Sequence, residues 1–145
     1  MNTLKNISFL LVMSFIYSLV ADKLQSIFIF IYLKDNIISI LTTLLAINTA
    51  TLGLIASKIQ DVIIKYPTLD FNNSMSEMKK SLLELFMLII LSLISLLFSE
   101  SPIICFEFKD IFFNTILLSI LLYAVNVLWD SGKAVFIIID EIKKL

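Results

Sequence analysis

Glu84 is the one carboxylate that lies clearly inside a long apolar run of this sequence, about one turn past Lys79 and Lys80. A lone carboxylate in that position has two uses. It closes an i,i+4 ion pair with Lys80 at the edge of the run, or it forms a cation-selective ring in a symmetric oligomer. It does not by itself run acid–base or nucleophilic chemistry, which needs a second group within reach. Other reactive side chains are absent or scarce. The 145 residues include no His and a single Cys, Cys105. No catalytic site, no metal site of the zinc, haem or copper kinds and no cofactor site is expected. A lone thiol makes no internal disulfide. The basic residues are 11 Lys against 12 Asp and Glu, net charge -1, which leaves no basic surface for nucleic acid. The chain does not read as an enzyme.

The elements that hold these residues follow from composition. Hydrophobic residues make up 59% and charged residues 16%, with a mean hydropathy of +1.01. Soluble domains run at roughly 45–50% apolar and about 25% charged. With 2 Gly and 2 Pro the chain is also poor in turn formers. The expectation is an all-α integral membrane four-helix bundle. Three runs, 37–57, 82–98 and 111–129, have about the length that a hydrocarbon core of roughly 30 Å requires. The first span has two readings. Either it is short, 6–21, with Lys23 reaching outward and Ile27–Tyr32 at the interface, or one tilted helix runs over 5–33. The second places Asp22 and Lys23 near mid-membrane, where charge is costly unless paired or hydrated. A cleaved leader over 1–21 fits less well, because Leu19 and Ala21 make a poor small-residue cleavage site.

Lysine placement sets the expected orientation. Lys58, Lys65, Lys79 and Lys80 lie in the 58–80 loop, and Lys133, Lys143 and Lys144 follow the last span, whereas the 101–110 loop has Lys109 alone. Both termini and the 58–80 loop are therefore expected in the cytoplasm. The heavy use of Lys, Ile and Asn points to an AT-rich, bacterial genome, hence a bacterial inner membrane. Helical spacing continues past the second span through Ile59, Val62, Ile63 and Tyr66 to Pro67. Ser74-Met75-Ser76-Glu77 has the form of a capping box opening the third helix. After Trp129 and an Asp130-Ser131-Gly132 hinge, Val135, Ile138, Ile139 and Ile142 make the tail 133–145 amphipathic. Packing against the 57–66 helix is its plain role; lying on lipid or docking a soluble partner are the others.

Within the spans, Thr42, Ala46, Thr49, Gly53 and Ala56 form a ridge of small residues along one helix face. In lipid, helices associate through close backbone packing at such ridges. The ridge receives either another helix of the same chain or a second copy. Glu84 and Ser95 share a stripe in the third span, and Thr115, Ser119 and Asn126 share one in the fourth. They serve as interhelical glue or line a hydrated cavity.

The order of parts resembles that of small four-span bacterial membrane proteins of anti-phage defence operons, the Kiwa membrane subunit among them. The resemblance covers most of the chain: a long second helix over Ile37–Tyr66, a polar loop, the Ser74–Phe98 helix, a short outer loop, then Ile111–Trp129 and the amphipathic tail. It carries over no residue motif. It implies an oligomeric membrane scaffold that senses envelope perturbation and holds a soluble effector on its cytoplasmic side. Two other functions fit the sequence: a pore-forming effector that depolarises the cell, and an immunity protein against a pore-forming bacteriocin.

Overall fold

Runs of Leu, Ile and Phe with few breakers leave the backbone to satisfy its polar groups within helices. The structure, a computed structural model, describes residues 3–65 and 71–143 and consists there of four helices. They are α1 (Thr3–Lys23), α2 (Phe28–Lys65), α3 (Asn72–Glu100) and α4 (Lys109–Lys143). Each contains a segment long and apolar enough to cross a membrane. The fold is all-α and compatible with a transmembrane bundle.

The α1–α2 boundary decides between the two readings of the first span. α1 ends at Lys23, so no single helix covers 5–33. The Ser26 amide donates to the Ala21 carbonyl at 2.9 Å and the Gln25 amide to that of Asp22 at 3.0 Å. This paired pattern is a Schellman C-cap, with Gln25 at φ 52 in the place usually held by glycine. Ile27 then precedes a continuous α2 of 38 residues. At 1.5 Å per residue that is about 57 Å, well beyond a hydrocarbon core.

α4 is the hub. It packs against α1, α2 and α3, while α2 and α3 also pack on each other. α1 docks on α4 alone by backbone approach, and reaches α2 through the edge-on Tyr17–Phe30 ring contact at 6.1 Å. Of the apolar window of α4, 44% is buried, against 17–22% in the other helices. The main core joins Leu33, Ile37 and Leu41 of α2, Leu85 of α3 and Leu117 and Ala124 of α4. Around it the surface is apolar, with Phe9, Val12, Phe15, Leu54, Leu83 and Leu97 among many large exposed side chains. A water-soluble bundle does not present such a belt.

A second core continues beyond the first. Leu52 and Ile59 of α2 pack with Phe71 and Met78, and Val62 and Met75 lie against them. The apolar stripe at Ile59 and Val62 is thus covered by the start of α3. Tyr66 and Pro67 lie outside the described residues. α3 begins at Asn72 behind Phe71, with no side-chain hydrogen bond at the cap. The expected capping box at Ser74–Glu77 therefore lies inside the first turns, where the helix has already started. At Asp130-Ser131-Gly132 there is no hinge: α4 runs on to Lys143.

Candidate functional site

The helices run alternately up and down, so polar residues from different helices meet at two ends. One end carries Lys5, the α2–α3 connection and Lys133; the other carries the 24–27 and 101–108 connections. They are called the lysine-rich end and the two-loop end.

At the lysine-rich end a cavity of about 560 Å³ lies between α3, α4 and Asn6 of α1. Glu84 and Asn126 both line it, as does Tyr123. The expected Lys80–Glu84 pair is not made. The Tyr123 hydroxyl donates to Glu84 Oε2 at 3.2 Å, and Lys80 lies 4.0 Å from Glu77 instead. Glu84 faces inward across the α3–α4 contact, where Lys80 does not follow. Asn126 Nδ2 donates to Asp130 Oδ2 at 3.3 Å, and Lys133 Nζ to Asp130 Oδ1 at 3.2 Å. Glu84, Tyr123, Asn126, Asp130 and Lys133 thus each have a partner within the wall of the cavity.

Ser95, Thr115 and Ser119, the other polar residues singled out in the apolar runs, are turned to their own backbones. Ser95 donates to the Leu91 carbonyl at 2.8 Å, Thr115 to that of Ile111 and Ser119 to that of Thr115, each at 2.7 Å. All three are buried. Each stripe thus divides: Glu84 and Asn126 line the cavity, whereas Ser95, Thr115 and Ser119 lie outside it in the packed interior.

At the two-loop end, a second cavity of about 260 Å³ opens where α1 and α2 diverge over α4. Ser18 and Asp22 of α1, Lys34 of α2, and Asp110 and Asn114 of α4 line it. Lys34 Nζ reaches out to Glu100 Oε1 at 3.6 Å. Asp22 therefore stands level with the start of α2, the end of α3 and the start of α4, at an end of the bundle. The buried Ser14 Oγ, Ser18 Oγ and Asn114 Oδ1 have no hydrogen-bond partner.

No family model, curated protein or solved structure matches the chain.

The ridge on α2 stands open. Thr42, Ala46, Thr49 and Gly53 are exposed, Ala56 is half-buried, and a Cβ placed on Gly53 meets nothing within 4 Å. Packing by another helix of the same chain therefore does not account for it. The Thr42 and Thr49 hydroxyls donate to the Ile38 and Leu45 carbonyls at 2.8 and 2.7 Å, so the ridge has no hydroxyl left in need of a partner. The side chains of Val135, Ile138, Ile139 and Ile142 lie outside the described residues, although the α4 backbone reaches past them.

The ridge that does receive a helix within the chain is a different one. Ser14, Ser18 and Ala21 are buried along α1, whose backbone partner is α4. Sequence reasoning passed over it, although Ser14-x3-Ser18 has the same small-xxx-small spacing as the α2 ridge.

Proposed function

We propose that this chain is an oligomeric scaffold and sensor of the bacterial inner membrane, holding a soluble effector on its cytoplasmic side in anti-phage defence. The observation that carries the oligomer is the open α2 ridge: Thr42, Ala46, Thr49 and Gly53 are exposed along three turns, and only Ala56 at its end is half-buried. Close approach along such a face yields van der Waals contact that lipid tails supply poorly to small side chains. The lysine-rich end faces the cytoplasm by the lysine distribution. There α2 and α3 extend together beyond the main core, and α4 continues past Trp129. These extensions give a soluble partner something to hold.

The scaffold reading is preferred to a pore because Ser95, Thr115 and Ser119 spend their hydroxyls on their own helices. The test is native mass in mild detergent after affinity purification from the host. We expect a homo-oligomer with a stoichiometric soluble protein. Gly53→Leu should reduce it to monomer while leaving the helix content intact, since Gly53 is exposed and a Cβ there meets nothing within 4 Å. Deleting residues 133–145 should release the soluble partner and leave the oligomer. An unchanged mass for Gly53→Leu removes the α2 seam, and an oligomer with nothing attached brings the pore reading forward.

A further inference from the structure

We propose that the cavity between α1, α2 and α4 at the two-loop end is a binding site for a monovalent hard cation of the sodium type. Its ligands are the Asp22 and Asp110 carboxylates, the Ser18 hydroxyl and the Asn114 side-chain carbonyl. All four residues line the cavity of about 260 Å³. Ser18 is 2% exposed and its oxygen has no partner; Asn114 Oδ1 is shielded from solvent and has none either. A side-chain carbonyl is an acceptor only, so what it lacks is a donor or a cation. The buried hydroxyls of α3 and α4 turn to a carbonyl of their own helix, as Ser92, Ser95, Ser99, Thr115 and Ser119 do, whereas Ser14 and Ser18 of α1 do not. Of these two exceptions, Ser18 is the one that lines this cavity, together with Asp22, Asp110 and Asn114.

Two of the three lysines at this end are otherwise engaged. Lys34 lines the cavity and is the built-in rival, but its ammonium lies at Glu100, 3.6 Å away. Lys109 Nζ donates to the Ser101 carbonyl at 2.7 Å. Among the described residues neither Asp22 nor Asp110 has an ion-pair partner. The end as a whole is anionic: Asp22, Asp35, Glu100, Glu107 and Asp110 stand against Lys23, Lys34 and Lys109. A negative mouth over low-dielectric walls concentrates small cations. The ligand set is all oxygen, which selects hard ions over transition metals. Among the described residues no three His, Cys, Asp or Glu side chains gather into a metal-type cluster. The charged residues of the lining are two carboxylates and the Lys34 ammonium, a single net negative charge that a monovalent ion balances. This site goes beyond the scaffold reading, and either stands if the other fails.

The experiment is thermal unfolding of the full chain in detergent micelles, followed by Trp129 fluorescence, in sodium chloride and in choline chloride of equal ionic strength. Sodium should raise Tm saturably by a few degrees over choline, and broaden the sodium magnetic resonance line of the protein solution. Ser18→Ala and Asp110→Asn should each lose at least half of that rise. Ser18→Ala makes a smaller, apolar side chain in a packed position, so it should melt in choline at or above the wild type, which keeps the comparison readable. Equal melting in sodium and choline overturns the proposal. A sodium effect undiminished in both variants does the same, by placing the ion elsewhere. A rise with magnesium or calcium and none with sodium overturns the assignment to a monovalent ion.

Discussion

Two kinds of buried polar residue coexist in this bundle, and they should respond oppositely to truncation. Asn48 is 1% exposed and its Nδ2 donates across the α2–α3 contact to Ser81 Oγ at 3.4 Å. Ser14 is 0% exposed, and its hydroxyl has no partner. An interhelical hydrogen bond in a membrane averages about 0.6 kcal/mol, and the space left by a removed side chain adds to the loss. Asn48→Ala should therefore destabilise by about 1–2 kcal/mol. An unsatisfied buried hydroxyl carries a desolvation penalty, so Ser14→Ala should be neutral or stabilising by up to about 1 kcal/mol. Unfolding in a sodium dodecyl sulfate titration, followed by circular dichroism, separates the two. If Ser14→Ala costs as much as Asn48→Ala, then Ser14 has a partner and the contrast between satisfied and unsatisfied residues collapses.

The turn between α1 and α2 decides the architecture of the N-terminal half, and its weakest residue is Gln25. A non-glycine side chain at φ 52 crowds the following carbonyl, at about 1–2 kcal/mol. Gln25→Gly removes that clash and loses part of the gain to backbone entropy. We expect a net stabilisation of about 1 kcal/mol, read from the same unfolding titration, with no change in helix content. A loss of stability would mean that the turn is held by the Gln25 side chain rather than by the Schellman hydrogen bonds. The element scale is also where the sequence was most and least legible. Apolar runs of sufficient length located the apolar segments of α2, α3 and α4, because the minimum length for crossing a bilayer is legible whatever packs beside it. The first span stayed open between two readings, because hydropathy does not register a cap whose αL residue is Gln rather than Gly. Periodicity put Thr42, Thr49 and Gly53 on one face, but a face has no address: it does not say whether a helix of this chain or another copy covers it. Glu84 was misassigned to Lys80 for a related reason. Spacing within α3 offered an i,i+4 partner, whereas Tyr123, which takes the bond, comes from α4, 39 residues away along the chain.

At the scale of the whole molecule, charge asymmetry and topology make one joint prediction. Lys5, Lys58, Lys65, Lys79, Lys80, Lys133 and Lys143 belong to the end that carries the α2–α3 connection, whereas Lys23, Lys34 and Lys109 belong to the other. Lysines near span ends are retained on the cytoplasmic side, so the two-loop end should face outward. Cys105 reports this directly. It is the one cysteine of the chain, it is exposed, and it lies in the connection between α3 and α4. In intact spheroplasts a membrane-impermeant maleimide should label Cys105. A chain carrying Cys105→Ser with Lys133→Cys should stay unlabelled until the membrane is opened, since Lys133 is equally exposed but at the opposite end. The reverse pattern would invert the molecule, which moves α4 beyond Trp129 to the outside and leaves a cytoplasmic effector with nothing to hold. Labelling of both positions in sealed cells would mean that the bundle does not separate two compartments. The expected pattern has a further consequence. The carboxylates at the two-loop end would then sample external sodium, while the α2–α3 extension and the end of α4 meet the cytoplasm. One continuous helix, the hub α4, runs from Asp110 at the first to Lys133 at the second.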